Sequence, residues 1–305
     1  MNTMIESFID APDGHKVQTI CWPVDKPKAW VHINHGMSEH AHRYDQLAQT
    51  LNTAGYSVVA HNHRGHGSSP TTTTGHYADK NGWNKLLADV DQVRTQVCDN
   101  NLPYYLMGHS MGSFIVQSYL ANPLETQRPI DALILSGSNF QAPQIAKVGH
   151  AVARLERWRL GNTKASKLLQ FLSFGSFNQA FKPNRTDFDW LSKDHDHVDK
   201  YINDPLCGFD CSTQLWVDLL GGLIDLFTLK TFNRIQKNLP IYIFGGDQDP
   251  VGEKGKGLPK LMAAYKNAGQ QNVTLKLYEE GRHEMLNEIN RDEVMADIAN
   301  WLNTL

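Results

Sequence analysis

Cysteine is scarce in this chain of 305 residues, which carries only Cys21, Cys98, Cys207 and Cys211. So few thiols in so long a chain exclude a disulfide framework. Only Cys207 and Cys211 lie close together, and one C-x₃-C pair without a second is a weak metal signal, so these residues read as reduced thiols filling small spaces. An excess of one charge is also missing. Lys and Arg number 29 against 32 Asp and Glu, a net charge of -3, which offers a polyanion no broad attraction and excludes nucleic acid as a default partner. No stretch approaches the roughly 18 uninterrupted apolar residues that a membrane-spanning helix needs. The opening MNTMIESFIDAPDG carries acids and no sustained apolar run, so no secretory leader is expected. Internal repeats are absent, and the only low-complexity stretch is the short polar run Thr71–Thr74, which reads as loop. The expectation is a soluble, cytoplasmic protein with a large buried core.

What the chain does contain is alternation. Short apolar runs at Trp30–Ile33, Tyr56–Ala60, Tyr104–Met107, Ala132–Leu135, Ile241–Phe244 and Val273–Tyr278 read as strands, most of them too apolar to have a wet face. Helical patterns lie between them at Tyr44–Ala54, Trp83–Val97, Gly112–Asn122, Gly257–Ala268 and Glu284–Leu302. This alternation predicts an α/β fold with a mostly parallel sheet covered on both faces. Met4–Ile9 and Lys16–Trp22, around Asp13-Gly14, read as an antiparallel hairpin at the sheet edge. The alternation breaks at 139–238, where helical patterns such as Ile145–Leu160 and Ser212–Leu226 follow one another without strands. That predicts a core of residues 1–138 and 239–305 carrying a helical cap insertion. From Gln141 to Arg185 the insertion holds eight basic residues against one acid, Glu156.

The strongest chemical signal is Gly108-His109-Ser110-Met111-Gly112, a G-x-S-x-G sequence between a strand and a helical pattern. A serine on so tight a turn needs neighbours without side chains that would collide, and the turn lifts its hydroxyl clear of the sheet. Serine is a weak nucleophile, so a base and an orienting acid are required, in the chain order Ser, acid, His. After the strand Ile241–Phe244 come two candidate acids, Asp247 and Asp249. Asp249 is favoured because it lies further out along the loop, while Asp247 suits a loop cap. After the next strand comes His283, the only histidine beyond His197 and the candidate base. Two backbone donors should form the oxyanion hole: the amide of Met111, next after the nucleophile, and that of Met37, after His35-Gly36.

The runs HGMSEHAHRYDQLAQTLNTAGYSVVAHNHRGHGSSP, GHSMGS, GGDQDPVG and GRHEMLNE resemble the monoacylglycerol lipase and lysophospholipase branch of the α/β-hydrolases. The resemblance covers essentially the whole chain, including DPLCGF at Asp204–Phe209. It implies an α/β-hydrolase fold, the triad Ser110, Asp249 and His283, and an oxyanion hole from the Met37 and Met111 amides. One position departs from it: Asn62 stands where the family's D-x-R-G-x-G-x-S loop has Asp, which puts local loop contacts in question rather than catalysis.

The rival readings are a metallohydrolase, suggested by the histidines of His61-Asn62-His63-Arg64-Gly65-His66, and a non-catalytic binding scaffold. Gly65 stands where the metallohydrolase pattern needs an Asp ligand, and the binding scaffold would usually have lost a triad member. A short-chain esterase, a peptidase, a C–C hydrolase or an acyltransferase could use the same triad, and these stay open. The expected activity is therefore hydrolysis of a carboxylic ester of a single-chain lipid, with no metal or other cofactor. The aromatic residues of the insertion, Phe171, Phe174, Phe177, Phe181, Phe188, Trp190, Phe209 and Trp216, read mostly as its own small core. The basic first half reads first as solvated surface and second as a transient contact for anionic lipid. Headgroup, acyl length and oligomeric state are not fixed by the residues.

Overall fold

The computed structural model describes residues 4–71, 73–121 and 129–305. Thr72 of the run expected as loop and Asn122 at the expected end of one helix lie outside the described residues. Eight strands form one sheet in the order β1-β2-β4-β3-β5-β6-β7-β8. β1 (Ile5–Asp10) and β2 (Lys16–Trp22) are the expected edge hairpin, and β2 also meets β4 (Ser57–His61) antiparallel. From there β3 (Trp30–Asn34), β5 (Tyr104–His109), β6 (Ala132–Ser136), β7 (Ile241–Gly246) and β8 (Val273–Tyr278) continue in parallel.

β3 to β7 are buried along their whole length, as continuous apolar runs in a covered parallel sheet must be. β8 departs from that expectation. It is the outer strand, and most of its residues are half-buried or exposed. On one face lie α1 (Asp45–Thr53) and the C-terminal helix, which pack Leu47, Leu51, Val294 and Ile298 against Val31, Ile33 and Phe244. On the other face α2 (Gly82–Val97) and α3 (Met111–Ala121) pack Leu86, Val90, Ile115 and Val116 against Leu106, Leu133 and Leu135.

Between β6 and β7 the described chain contains no strand. It holds α4 (Pro143–Leu160), the short α5 (Lys167–Gln170) and α6 (Ser176–Asn178), α7 (His195–Asn203), α8 (Thr213–Leu226) and the single turn α9 (Leu229–Phe232). Ser212 caps α8 by accepting from the Leu215 amide at 3.1 Å, and Asp194 caps α7. Phe174, Phe177, Phe181 and Phe188 pack with Trp190, Leu191 and Tyr201 as a small separate cluster, as expected for most of the aromatic residues. Trp216 instead joins the main core, and Phe171 is exposed. After β7, α10 (Gly257–Asn267) completes one layer, and α11 (Arg291–Leu302) ends the chain.

α11 begins later than the helix expected at Glu284–Leu302. The residues from Glu284 to Asn290 form a 3-10 turn and loop because their side chains are engaged elsewhere. Glu284 binds Arg43, and Glu288 accepts from the backbone amides of Lys193 and Arg282. Asp292 and Glu293 then open the helix, where negative charge suits the dipole.

Candidate active site

Every parallel strand delivers its carboxyl end to one edge of the sheet, the edge where open α/β folds place their sites. Ser110 stands where β5 gives way to α3, with φ of +51° in the left-handed region. For a residue with a side chain such a conformation costs about 1–3 kcal/mol and persists only when its surroundings impose it. Here they do. The Ser110 amide donates to the Ser136 carbonyl on β6 at 2.9 Å, and its own carbonyl accepts from the Ser113 amide at 2.9 Å and the Ser113 hydroxyl at 2.6 Å.

The glycines of the motif have the steric role expected of them. A Cβ on Gly108 would lie 2.7 Å from Ser113 Cα, and one on Gly112 would lie 2.5 Å from the His35 carbonyl oxygen. Backbone therefore packs directly on backbone beneath the serine. Gly36 brings the loop after β3 to the same place, since a Cβ there would be 3.3 Å from Ser110 Cβ.

Asp249 and His283 come together from the loops after β7 and β8. His283 Nδ1 lies 3.0 Å from Asp249 Oδ1, and both side chains are only 2% exposed. Because a carboxylate only accepts, the Nδ1 proton is donated to Asp249. Burial alone would disfavour the imidazolium, but the Asp249 charge and hydrogen bond outweigh it and raise the His283 pKa above 6.5. Asp247, the competing acid, is half-buried and accepts from the Gln248 amide group. His283 is also packed on both sides, its ring 4.9 Å from that of His109 and 4.9 Å from Trp190 of the insertion. His109 is pushed down to about 4 by burial, with the His283 charge adding to the effect.

Reading the sequence alone missed the charges beneath this site. Arg43 lies half-buried between two buried carboxylates, Glu39 after β3 and Glu284 next to His283, with contacts of 2.7, 2.7 and 2.6 Å. Glu39 reaches on to the Gly36 amide at 2.5 Å and accepts from the Tyr44 hydroxyl at 2.9 Å. Burial would raise both glutamates, but Arg43 holds them below the ordinary carboxylate range. One guanidinium thus ties the loop carrying Met37 to the loop carrying His283. The only legible trace of this was the i,i+4 spacing of Glu39 and Arg43, and the partner Glu284 is 241 residues from Arg43. The ring of Tyr201 in the insertion covers the guanidinium at 4.9 Å.

The histidine run of the metallohydrolase reading goes into packing. His61 Nδ1 meets His32 Nε2 at 2.8 Å, and the His63 ring lies tilted against that of His35, with centroids 4.3 Å apart. Arg64, in the middle of the run, pairs with Asp13 and Asp89, and burial holds His61 down to about 3 and His66 to about 4. Asn62, the departure from the family pattern, is fully used: its carbonyl accepts from the Ala41 amide at 2.8 Å and its NH₂ donates to Gln18 Oε1 at 2.7 Å.

Residues 25–290 match the model of the Hydrolase_4 family, described as serine aminopeptidase, S33. The chain belongs to that family. It is 29% identical to the monoglyceride lipase of Rattus norvegicus over 95% of this chain and 88% of that protein. The monoacylglycerol lipase of Mycolicibacterium smegmatis is 28% identical over 97% of this chain and 95% of its own length. Among solved structures, a thermostable carboxyl esterase from Bacillus coagulans in complex with glycerol superposes with a TM-score of 0.88. It is 27% identical, with 100% of this chain and 99% of that chain covered. This Hydrolase_4 chain is thus an α/β-hydrolase and a carboxylic ester hydrolase of the monoglyceride lipase type. Among the described residues, no helix is long and apolar enough to cross a membrane.

Two outcomes are expected of the site. With His283 as the expected base, a pH profile of kcat/KM should fall on the acid side through an apparent pKa above 6.5, because an imidazolium cannot accept a proton. A plateau persisting to pH 5 would contradict this. Arg43→Met leaves two buried carboxylates without a cation, which should cost roughly 3–5 kcal/mol in urea unfolding. The same variant should lower kcat by about tenfold or more, because a displaced Glu39 no longer fixes the Gly36 amide. Unchanged stability and rate would show that the network is ornamental.

Proposed function

We propose that this Hydrolase_4 chain hydrolyses carboxylic esters of single-chain lipids, monoacylglycerol or lysophospholipid, through Ser110, His283 and Asp249. The observation that carries the reading is the buried Asp249–His283 pair at the same strand edge as a serine in left-handed conformation. In this mechanism His283 Nε2 takes the Ser110 proton as the hydroxyl oxygen attacks the ester carbonyl. Asp249 holds the ring in its tautomer and offsets the imidazolium charge. The tetrahedral oxyanion is stabilised by the amides of Met37 and Met111. Met111 is the first residue of α3, so its N–H has no partner within the helix, and the helix dipole adds to it. The alcohol leaves with the proton from His283, and water, activated by the same imidazole, releases the acid from Ser110.

The substrate class rests on the relatives, whose names are monoglyceride lipase and monoacylglycerol lipase. The segment 139–238 acts in this reading as a cap, with Trp190 packed on His283. An aminopeptidase, the activity named in the family's description, needs a free carboxylate for the substrate's ammonium group. Glu39 and Glu284 beside the site are both committed to Arg43.

The outer stripe of α4 suits a lipid surface. Ile145, Val148, Leu155 and Trp158 recur at helical spacing and are exposed, Trp158 to 83%. Phe171 and Leu172, further along the insertion, are exposed as well, and Lys147, Arg154, Arg159, Lys164 and Lys167 lie in the same stretch of sequence. Apolar anchors among basic residues fit transient docking on an anionic interface.

A matched panel tests the reading: acyl release from monoacylglycerols, lysophosphatidylcholines and short p-nitrophenyl esters, with Ser110→Ala as blank. Long single-chain lipids should be preferred, and Ser110→Ala should lose at least about a thousandfold in kcat. Near-normal turnover by Ser110→Ala would overturn the mechanism, and activity on short esters alone would overturn the substrate class.

A further inference from the structure

The loop after β3 and the loop between α7 and α8 meet at three side chains that the ester chemistry does not use. His40 Nε2 lies 2.8 Å from Asp204 Oδ2. Cys207 completes the group, and donor atoms of all three lie within 4.8 Å of one another. Among the described residues this is the one grouping of three such donors. The arrangement is built locally. Asp204 Oδ1 accepts from the Leu206 amide at 2.8 Å, and the Asp204 carbonyl accepts from the Cys207 amide at 3.0 Å, so a tight turn brings carboxylate and thiol to the same side.

The imidazole is left under-satisfied by the protein alone. His40 is only 7% exposed, and its Nδ1 is buried without a hydrogen-bond partner. With the proton on Nε2, Nδ1 keeps an unused lone pair. With the proton on Nδ1, the Nε2 lone pair faces a carboxylate. A cation shared by Nε2 and Oδ2 removes the second conflict.

We infer that His40, Asp204 and Cys207 bind one zinc-class divalent cation, which ties the α7–α8 loop to the loop after β3. The donor set is nitrogen, oxygen and sulfur, which suits zinc and is wrong for magnesium or calcium. Ligand atoms around a tetrahedral zinc stand about 3.3–3.8 Å apart, so closure needs shifts of about an ångström. Binding replaces the thiol proton, which passes to solvent as the sulfur–metal bond forms. Access is from the Asp204 side, where the carboxylate is 31% exposed. It faces a surface concavity lined by Asp196, Asp199, Lys200, Asn203 and Pro205, in which acids outnumber bases, although Asp199 also pairs with Arg185. The neighbouring charge favours a cation too, since Arg43 is already matched by Glu39 and Glu284.

The consequence lies at the join between insertion and core. Beside the His40–Asp204 contact, the join already carries hydrogen bonds from the Gly208 amide to the Ser38 carbonyl at 2.9 Å, from the Tyr201 hydroxyl to the same carbonyl at 3.0 Å, and from the Ser38 hydroxyl to the Phe209 carbonyl at 2.8 Å. A bound ion ties the two loops further, one residue from Glu39 and hence from the support of Gly36.

Calorimetric titration of the full chain with zinc chloride is the test, run on wild type, Cys207→Ser, Asp204→Asn and His283→Ala. Wild type should take up one ion with micromolar or tighter affinity and gain in Tm. Cys207→Ser should keep the metal-free Tm and basal ester hydrolysis, yet bind zinc at least about tenfold more weakly and gain no Tm. Asp204→Asn should weaken binding likewise, and His283→Ala should bind as wild type does. Magnesium should produce no change. Absence of binding to wild type, undiminished binding by Cys207→Ser, or loss of binding in His283→Ala would each overturn the site. Binding without a rise in Tm would overturn the tie.

Discussion

The structure closes around a steric constraint. Ser110 stands in left-handed backbone where the surrounding segments pack on one another more closely than side chains would allow. Gly108 and Gly112 let the start of α3 settle on the end of β3, Gly36 brings the following loop against the serine, and Gly137 after β6 lies under the rings of His109 and His283. The position of each loop is thereby fixed relative to Ser110 by hard contact, the least adjustable force in a protein interior. The strain at one residue is small beside the apolar burial of five neighbouring strands, so the sheet can sustain it.

Electrostatics then couples the loops that sterics has placed. The Arg43 cluster links the loop that offers the Met37 amide to the loop that offers His283. Removing these charges from water is costly, and only matched geometry recovers the cost. The bidentate contact with Glu284 and the shared contact with Glu39 provide it. Above them the insertion does more than cover the site. Its backbone carbonyls at Trp190 and Leu191 accept from His283 and Glu284, Arg282 donates to the carbonyls of Asp189 and Ser192, and the Trp190 ring lies on the His283 ring. The His283 ring is therefore held from two sides, by Asp249 from the core and by the turn at Asp189–Ser192 of the insertion.

Much of this was legible because it depends on short-range pattern. Buried strands announce themselves as apolar runs, and the strand–turn–helix setting of G-x-S-x-G restricts which residues can stand beside Ser110. Asp249 and His283 follow from chain order and from their loops, and the structure brings these two together while leaving Asp247 elsewhere. The start of α11 was not legible, since propensity favours a helix from Glu284, and only the tertiary demands on Glu284 and Glu288 override it. The histidines at 61, 63 and 66 were open to misreading for the same reason. Their spacing resembles a ligand run, but their partners, His32 and His35, come from another strand and its loop, and Arg64 is matched by Asp13 and Asp89. Long-range pairing between charged residues leaves almost no trace in local sequence, so the Arg43 cluster and the contact of Trp190 with His283 emerge only in three dimensions.

The central claim is that Ser110 is an activated nucleophile, and active-site labelling with a fluorophosphonate addresses it most directly. One adduct per chain, mapped by peptide mass to Ser110 and suppressed in His283→Ala, is the result that this account requires. An unlabelled Ser110 in folded protein, or labelling that His283→Ala leaves unchanged, would contradict it.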